Sequence, residues 1–551
     1  MPKYIFVTGG VLSGLGKGTV AASIAKILQF RGFSVSMVKC DPYLNVDAGT
    51  MNPLEHGENF VCEEVWEFSP VPDIVFRIAE VDQDFGTYER FTGENIHPSH
   101  NITSGQIYLT IILKERYGEF LGKTVQIIPH VTDEIKRRIL LTVDEKKDVI
   151  IVEIGGTVGD IEGMPFLEAI RQLRHELPPN DTLLVHVTYV PFLRTIGQQK
   201  TKPTQHSVQR LLQAGLQPDI IVARSETPLS KEARSKIALF AGLRENAVIS
   251  APDCEVVYEL PLIFENQGMG NLILQKLNLT PKTPPERNIV EWRSIVEKFK
   301  HSELLVNIAM VGKYTHIKDS YISIVEALKH AGAHENVKVN PVFIDAEKIS
   351  ENELKTFDGI LLTPGFGRRA TEGMILAARI ALRTGMPFLG ICFGAQLGTV
   401  AFAREIMKWE KANSTEIDPS TPHPVVDLLP SQKEVKVKGG TMRLGGIKIK
   451  LVRGTKLWQA YGQDWIVERF RHRYHIIWEY AKIMREKGFI INAIDTENNI
   501  AGFEVEWHPF FIGVQFHPEF KSRPFAPSPT YRAFIRAVKE KKKNEHLKNK
   551  N

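Results

Sequence analysis

The chain has 551 residues, 43% hydrophobic and 24% charged, a soluble-globular composition that at about 100–200 residues per domain asks for at least two domains. Of the net charge of +5, +4 lies in residues 539–551 (six lysines, two glutamates), so the body lacks the charge of a nucleic-acid-binding surface and the tail reads as a frayed, disordered end. Cys40, Cys62, Cys254 and Cys392 form no CxxC pair, the N-terminus does not read as a signal peptide, and no apolar run reaches the ~18 residues of a membrane span; zinc, disulfides and a membrane are not expected, and a cytoplasmic location is.

Residues 4–8 read as a buried strand and 19–31 as a helix. Between them runs Gly9-Gly10-Val11-Leu12-Ser13-Gly14-Leu15-Gly16-Lys17-Gly18-Thr19. Backbone N–H groups of such a strand–loop–helix turn can cradle phosphates, with a lysine as point charge. Val11 occupies the first glycine position of the usual G-x-x-x-x-G-K-[ST] pattern and Gly18 follows the lysine, so a merely flexible turn is the alternative. Residues 35–39, 148–154, 183–188 and 220–224 are further strands. Strands buried on both faces and separated by helices predict an α/β domain with a mostly parallel sheet. Asp82, Asp84 and Glu153 offer carboxylates for a hard cation such as Mg²⁺, or simply solvated strand ends. Lys200-Thr201-Lys202-Pro203-Thr204-Gln205-His206-Ser207-Val208 has no hydrophobic periodicity and reads as a polar loop, either a surface turn or a reader of anions and base edges.

The proline-rich stretch around residues 279–288 cannot continue a helix or central strand. The domains are therefore placed at 1–278 and 303–538, with 279–302 as linker. In the second domain residues 306–311, 337–344, 359–363 and 387–390 read as strands, and 321–331 and 372–383 as helices. The strand at 387–390 runs into Gly390-Ile391-Cys392-Phe393-Gly394-Ala395-Gln396 and then a helix. Small neighbours permit a sharp turn that presents the sulfur at a helix N-terminus, where a thiolate is favoured. Gln515-Phe516-His517-Pro518-Glu519 supplies a base and an acid to orient it; in a strand, residues i and i+2 face the same way.

These residues resemble the class I glutamine amidotransferases. The resemblance implies Cys392 as nucleophile, His517 as base and Glu519 as its orienter. It implies glutamine contacts from Gly365, Phe393, Gly394, Ala395, Gln396, Glu416 and Arg473, with Glu416 suited to the ammonium and Arg473 to the carboxylate.

The whole chain is similar to the CTP synthases, through the phosphate loop, Lys39-Cys40-Asp41-Pro42-Tyr43, Tyr88-Glu89-Arg90-Phe91, Gln126-Ile127-Ile128-Pro129-His130, Gly155-Gly156-Thr157-Val158-Gly159-Asp160-Ile161-Glu162 and the Lys200 string. The resemblance implies two α/β domains: a P-loop NTPase-like fold of dethiobiotin-synthetase type and a flavodoxin-like glutamine amidotransferase. It implies a ligase in which ATP phosphorylates O4 of UTP and ammonia, tunnelled from glutamine or taken free, displaces the phosphate to give CTP. ATP would meet Gly14, Leu15, Gly16, Lys17, Gly18, Thr19 and Asp82, with Lys39 near the transferred phosphate and Mg²⁺ on Asp82 and Glu153. The pyrimidine nucleotide would meet Ser13, Lys200, Thr201, Lys202, Pro203, Thr204, Gln205 and Lys236, and the inhibitory product CTP Asp160, Ile161 and Glu162. Arg369 matches an arginine tied to activation by GTP, and a homotetramer is implied. Amide synthases acting on carboxylates, such as the cobyrinic acid enzymes, and a non-catalytic scaffold are the alternatives; the Lys200 string and the retained Lys17, Cys392 and His517 disfavour them.

Two departures stand out. Residues 62–79 are longer than the family pattern, lack its Asp-Gly, and read as an inserted loop. Pro364-Gly365-Phe366-Gly367 is one glycine shorter than the usual oxyanion loop, which could weaken glutamine hydrolysis, since its N–H groups must lie about 3 Å from the developing oxyanion. Tyr474-His475 also replaces the family's Tyr-Glu.

Overall fold

The computed structural model describes residues 2–141, 146–302, 304–313, 318–435 and 439–548. The chain forms two compact units, Met1–Ala48 with Trp66–Phe76 and Asp84–Glu297, and Gly49–Val65 with Arg77–Gln83 and Lys298–Asn551. Neither is the continuous stretch expected from the sequence. Residues 49–65 and 77–83 find partners within the second unit: Arg469 donates to the Val61 carbonyl at 2.8 Å, and the Ser323 N–H donates to Glu58 at 3.2 Å.

In the first unit seven strands form one sheet, in the order Val248–Pro252, Ile220–Ser225, Thr182–Tyr189, Lys3–Gly9, Val149–Ile154, Val35–Asp41 and Asn101–Thr103. Every pairing is parallel. Val149–Ile154 is buried at all positions, as its unbroken apolar run requires of a sheet covered on both faces. The phosphate loop follows the central strand Lys3–Gly9 and ends at Gly16, whose φ of 84° opens the helix Lys17–Phe30. Loops that leave the carboxyl ends of central parallel strands are where α/β folds bind ligands.

The second unit holds a nine-stranded sheet, in the order Val337–Asp345, Leu304–Gly312, Gly359–Leu362, Phe388–Ile391, Phe511–Val514, Ile500–Val505, Phe489–Asp495, Arg443–Leu451 and Trp465–His472. Pairings are parallel as far as Phe511–Val514 and antiparallel beyond it. Trp465–His472 is thus an edge strand.

Four expectations are corrected. Residues 62–79 are not a loop: Phe60–Val71 and Ile74–Val81 pair as a two-stranded sheet. In the first unit, Arg138 caps the rings of Trp66 and Phe68 at 4.9 and 5.2 Å. The linker is largely a helix, Glu286–Lys300, because Trp292 buries its ring among Phe30, Phe91 and Tyr258 and donates to the Tyr258 carbonyl at 2.8 Å. The Lys200 string is helical from Lys202 to Gln213, since Pro203 stands in its first turn and Val208 and Leu211 face the core. Much of the basic tail belongs to the helix Pro529–Lys548, where Lys542 pairs with Asp358 at 2.8 Å and Lys541 with Glu545 one turn on at 2.8 Å; residues 549–551 lie outside the described residues. Among the described residues no helix is long and apolar enough to cross a membrane.

Candidate active site

Cys392 sits between the strand Phe388–Ile391 and the helix Phe393–Glu405, with φ 52° and ψ −105°. A non-glycine residue held at positive φ stores strain and marks a sharp nucleophile turn. Its N–H donates to Val514 O at 2.8 Å, which holds the strained turn against the neighbouring strand. The thiol lies 3.4 Å from Arg471 O, and Gln515 Nε2 lies 3.5 Å from Sγ.

His517 Nδ1 and Glu519 Oε1 are 2.7 Å apart, and Tyr531 donates to Glu519 Oε2 at 3.4 Å. The expected i, i+2 relation is met by different backbone. The strand ends at Val514, and His517 caps a 3₁₀ turn over Pro518–Lys521 that folds Glu519 back. Burial pulls the imidazole towards neutrality, but the Glu519 carboxylate and the Cys392 sulfur outweigh it and raise its pKa to about 10. His517 Nε2 is buried and makes no hydrogen bond within the described residues, which leaves it for the proton of a nucleophile or leaving group.

His517 and Glu519 line a cavity of roughly 570 Å³ with Gly365, Phe366, Glu416, Arg471 and Arg473. Gly365 is at its wall, and Gly367 takes the left-handed φ of 76°. The short loop is tied at both chemistries of its backbone. Lys313 Nζ donates to Phe366 O at 2.7 Å and also to Gly367 O, while Gly367 N–H donates to Glu416 at 2.7 Å. Burial lowers the Lys313 pKa to about 8 against the pull of Glu416, and burial raises that of Glu416. Gln396 is almost fully buried, donating to Tyr474 O at 2.9 Å and to Gln515 at 3.1 Å; Phe393 and Ala395 are equally buried. Arg473 donates to Thr441 at 3.0 Å and to Gln432. Arg369 donates to Lys313 O at 2.6 Å.

In the first unit the phosphate loop faces a buried charge cluster. Lys17 Nζ donates to Gly156 O at 2.8 Å, and its pKa is lowered by burial against the pull of Glu153. Lys39 Nζ donates to Glu153 at 2.7 Å and also to Asp84. Glu153, fully buried, has its pKa raised by burial against the pull of Lys39, and Tyr88 donates to its second oxygen. For Asp84 burial acts upwards, but Lys39 outweighs it and the pKa falls. A methyl group on Gly18 would stand 2.2 Å from Asp84 Oδ1, so only glycine lets this carboxylate approach the helix N-terminus. The carboxylate brought to Lys39 is therefore Asp84, two residues beyond the expected Asp82. Asp41, which the sequence reading did not select, joins this cluster at 4.0 Å from Lys39, and burial raises its pKa to about 6.

Thr201 precedes the helix that begins at Lys202 and Pro203. Thr204 donates to Tyr189 O at 3.0 Å and Gln205 to Thr201 at 3.0 Å. Lys236 lies on the helix Lys231–Ala241. Asp160 accepts the Thr157 N–H at 3.0 Å and precedes Glu162 in a short 3₁₀ turn, where Ile161 is exposed.

Residues 3–279 match the family model for the CTP synthase N-terminus, and residues 316–537 match the class I glutamine amidotransferases. The chain is 49% identical over 550 residues to the CTP synthase of Pyrococcus abyssi, covering 99% of each chain. It is 49% identical over 544 residues to that of Sulfurisphaera tokodaii, covering 98% of this chain and 99% of the relative. The CTP synthase of Caldanaerobacter subterraneus is 48% identical over 544 residues, 98% of each. The chain belongs to the CTP synthase family.

Of the residues expected for a CTP synthase, the structure brings Gly365, Glu416, Arg473, His517 and Glu519 to one cavity, while Cys392, Phe393, Ala395 and Gln396 are buried and not among its lining residues; Lys39 bonds Glu153 and Lys17 bonds Gly156 O. The sequence reading named Asp84 among its candidate carboxylates but settled on Asp82, and it gave no role to Asp41, Lys313, Gln515 or Arg471. Asp41 stood beside Lys39, already singled out, and could have been found by testing each nearby carboxylate in turn. Lys313 carries no local motif, and Gln515 stood in the His517 string without a role of its own.

Proposed function

We propose that this enzyme aminates UTP to CTP with ATP and glutamine, and that the two buried clusters divide the work. The reading rests on the family match over nearly the whole length, and the observation that carries its chemistry is Lys39 clasped between Glu153 and Asp84 behind the phosphate loop. Lys17, Lys39 and the loop N–H groups would hold the transferring phosphoryl group, which turns O4 of UTP into a leaving group. Mg²⁺ fits beside them. Among the described residues no three or more His, Cys, Asp and Glu side chains are placed to hold a metal ion by themselves, but Mg²⁺ takes only one or two carboxylates with phosphate oxygens, and Asp84 and Glu153 supply two. When bound, it would neutralise phosphate charge, while Lys39 orders the same carboxylates.

In the second unit Cys392 would attack the glutamine carboxamide, with its proton held at His517 Nε2 and returned to the departing ammonia. Glu416 and Arg473 would orient the amino acid. The residues from Lys200 to Gln205 and Lys236 would take the pyrimidine nucleotide, with Asp160–Glu162 at inhibitory CTP and Arg369 at activating GTP, in a cytoplasmic homotetramer.

The test is CTP formation by purified protein supplied with UTP, ATP, Mg²⁺ and either glutamine or ammonium chloride. Cys392→Ala is expected to abolish synthesis from glutamine and to keep synthesis from ammonium. No CTP from the native protein with either nitrogen source would overturn the reading.

A further inference from the structure

The edge strand Trp465–His472 holds both members of the catalytic pair through its backbone. Arg469 O accepts the His517 N–H at 2.8 Å, and Arg471 O faces the Cys392 thiol at 3.4 Å. Being two residues apart on a strand, Arg469 and Arg471 project their side chains to the same side. On that side the second unit contributes residues from far earlier in the chain. Arg469 donates to Val61 O at 2.8 Å, and Arg471 Nε donates to Glu80 Oε1 at 2.6 Å. Glu80 is 1% exposed, and its other oxygen is buried without a hydrogen bond among the described residues. The Arg471 guanidinium also lies over the Phe366 ring of the short oxyanion loop, at 5.3 Å. One buried carboxylate is thus bonded to the residue that touches the nucleophile by its carbonyl and the oxyanion loop by its side chain.

We propose that Glu80 is a positioning residue for glutamine hydrolysis, acting through Arg471 to fix the edge strand and the Phe366 side of the loop against Cys392 and His517. An edge strand has one unpaired side and can shift unless something grips it. Glu80 and Val61, at the base of the inserted two-stranded sheet, supply that grip. The inserted strands thereby offset the missing glycine: the loop is shorter, and it is braced from outside by Arg471. Glu80 touches no substrate and acts only through Arg471, so its loss is expected in kcat rather than KM for glutamine.

This inference rests on the glutaminase reading above, and the two fail differently. Glutamate release and ammonium-dependent CTP formation are measured for the full-length native enzyme, Glu80→Gln, Arg471→Met and the double variant. Displacements of about 1 Å at reacting atoms cost up to about 100-fold, so Glu80→Gln is expected to lower kcat for glutamine at least tenfold, with KM unchanged or lower. Ammonium-dependent synthesis should stay, and the double variant should be no worse than the weaker single one, because both changes break one contact. A Glu80→Gln enzyme within twofold of native, equal loss with ammonium, or additive losses in the double variant would each overturn the proposal. Should Glu80→Gln fail to fold, Glu80→Asp, which keeps the charge but withdraws it by one methylene, is read by the same criteria. Failure of native protein to hydrolyse glutamine would instead remove the glutaminase reading itself.

Discussion

Replacing Glu519 by glutamine removes a charge while keeping the shape of the side chain. At 2.7 Å and an effective dielectric of about 20, the Glu519–imidazolium attraction is ~6 kcal/mol. The rise of His517 from 6.5 to about 10 corresponds to about 5 kcal/mol in favour of the charged ring, net of its burial. Without the carboxylate, burial acts unopposed by Glu519 and pulls the ring towards neutrality. At pH 8 His517 is then expected to be neutral and to lose its charge attraction for the Cys392 sulfur. A carboxamide can also present its NH₂ to Nδ1 and select the wrong tautomer. Glutamine hydrolysis should fall by about 10³- to 10⁴-fold in kcat, the scale seen when the acid of a catalytic triad is neutralised. Glutamate release measures this directly, the rate of Cys392 alkylation by iodoacetamide at pH 8 reports the thiolate, and ammonium-dependent CTP formation serves as the control. Glutamate release within tenfold of native, or an unchanged alkylation rate, would refute the electrostatic assignment of Glu519.

Asp84→Asn should abolish CTP formation from both glutamine and ammonium by loosening Lys39, whereas glutamate release persists; a milder effect than that of Asp82→Asn, measured in parallel, would return the cation site to Asp82. Glu468 is buried, and burial raises its pKa to about 7 against the pull of Lys521 and its bond from Tyr461. Its proton is held more tightly in the folded state than at the unfolded value of 4.5, so its contribution is full below pH 4.5, is lost as pH rises to about 7, and leaves a cost of about 3 kcal/mol above that. Glu468→Gln should therefore raise the Tm over native at pH 8 and leave it nearly unchanged at pH 4.5, as read by scanning fluorimetry; an equal shift at both pH values would contradict this.

The parallel strands were legible because burial on both faces writes an unbroken apolar run, as in residues 149–154. The Cys392 turn and the His517–Glu519 pair were legible because each is local: a few adjacent residues set the backbone, and the strand–helix junction follows. Where local pattern competed with burial, the reading erred. The Lys200 string lacks hydrophobic periodicity, yet Val208 and Leu211 sink one face of its helix into the core. The proline-rich start of the linker hid a helix whose order comes from one tryptophan ring, Trp292, finding three others in the first unit.

By itself the sequence determined which residue types stand at which turns, and with them the glycine-rich loop before Lys17, the Cys392 turn and the His517–Glu519 pair. Tertiary structure alone decided which carboxylate meets Lys39: Asp82 follows the strand Ile74–Val81, whereas Asp84 opens the helix Asp84–Thr92 and is admitted by the close approach at Gly18. It alone brought Glu80 to Arg471, partners 391 residues apart. No periodicity or spacing encodes such a pair. A buried carboxylate and a guanidinium find each other because leaving either unpaired away from water costs several kcal/mol, and only the folded chain brings them within reach.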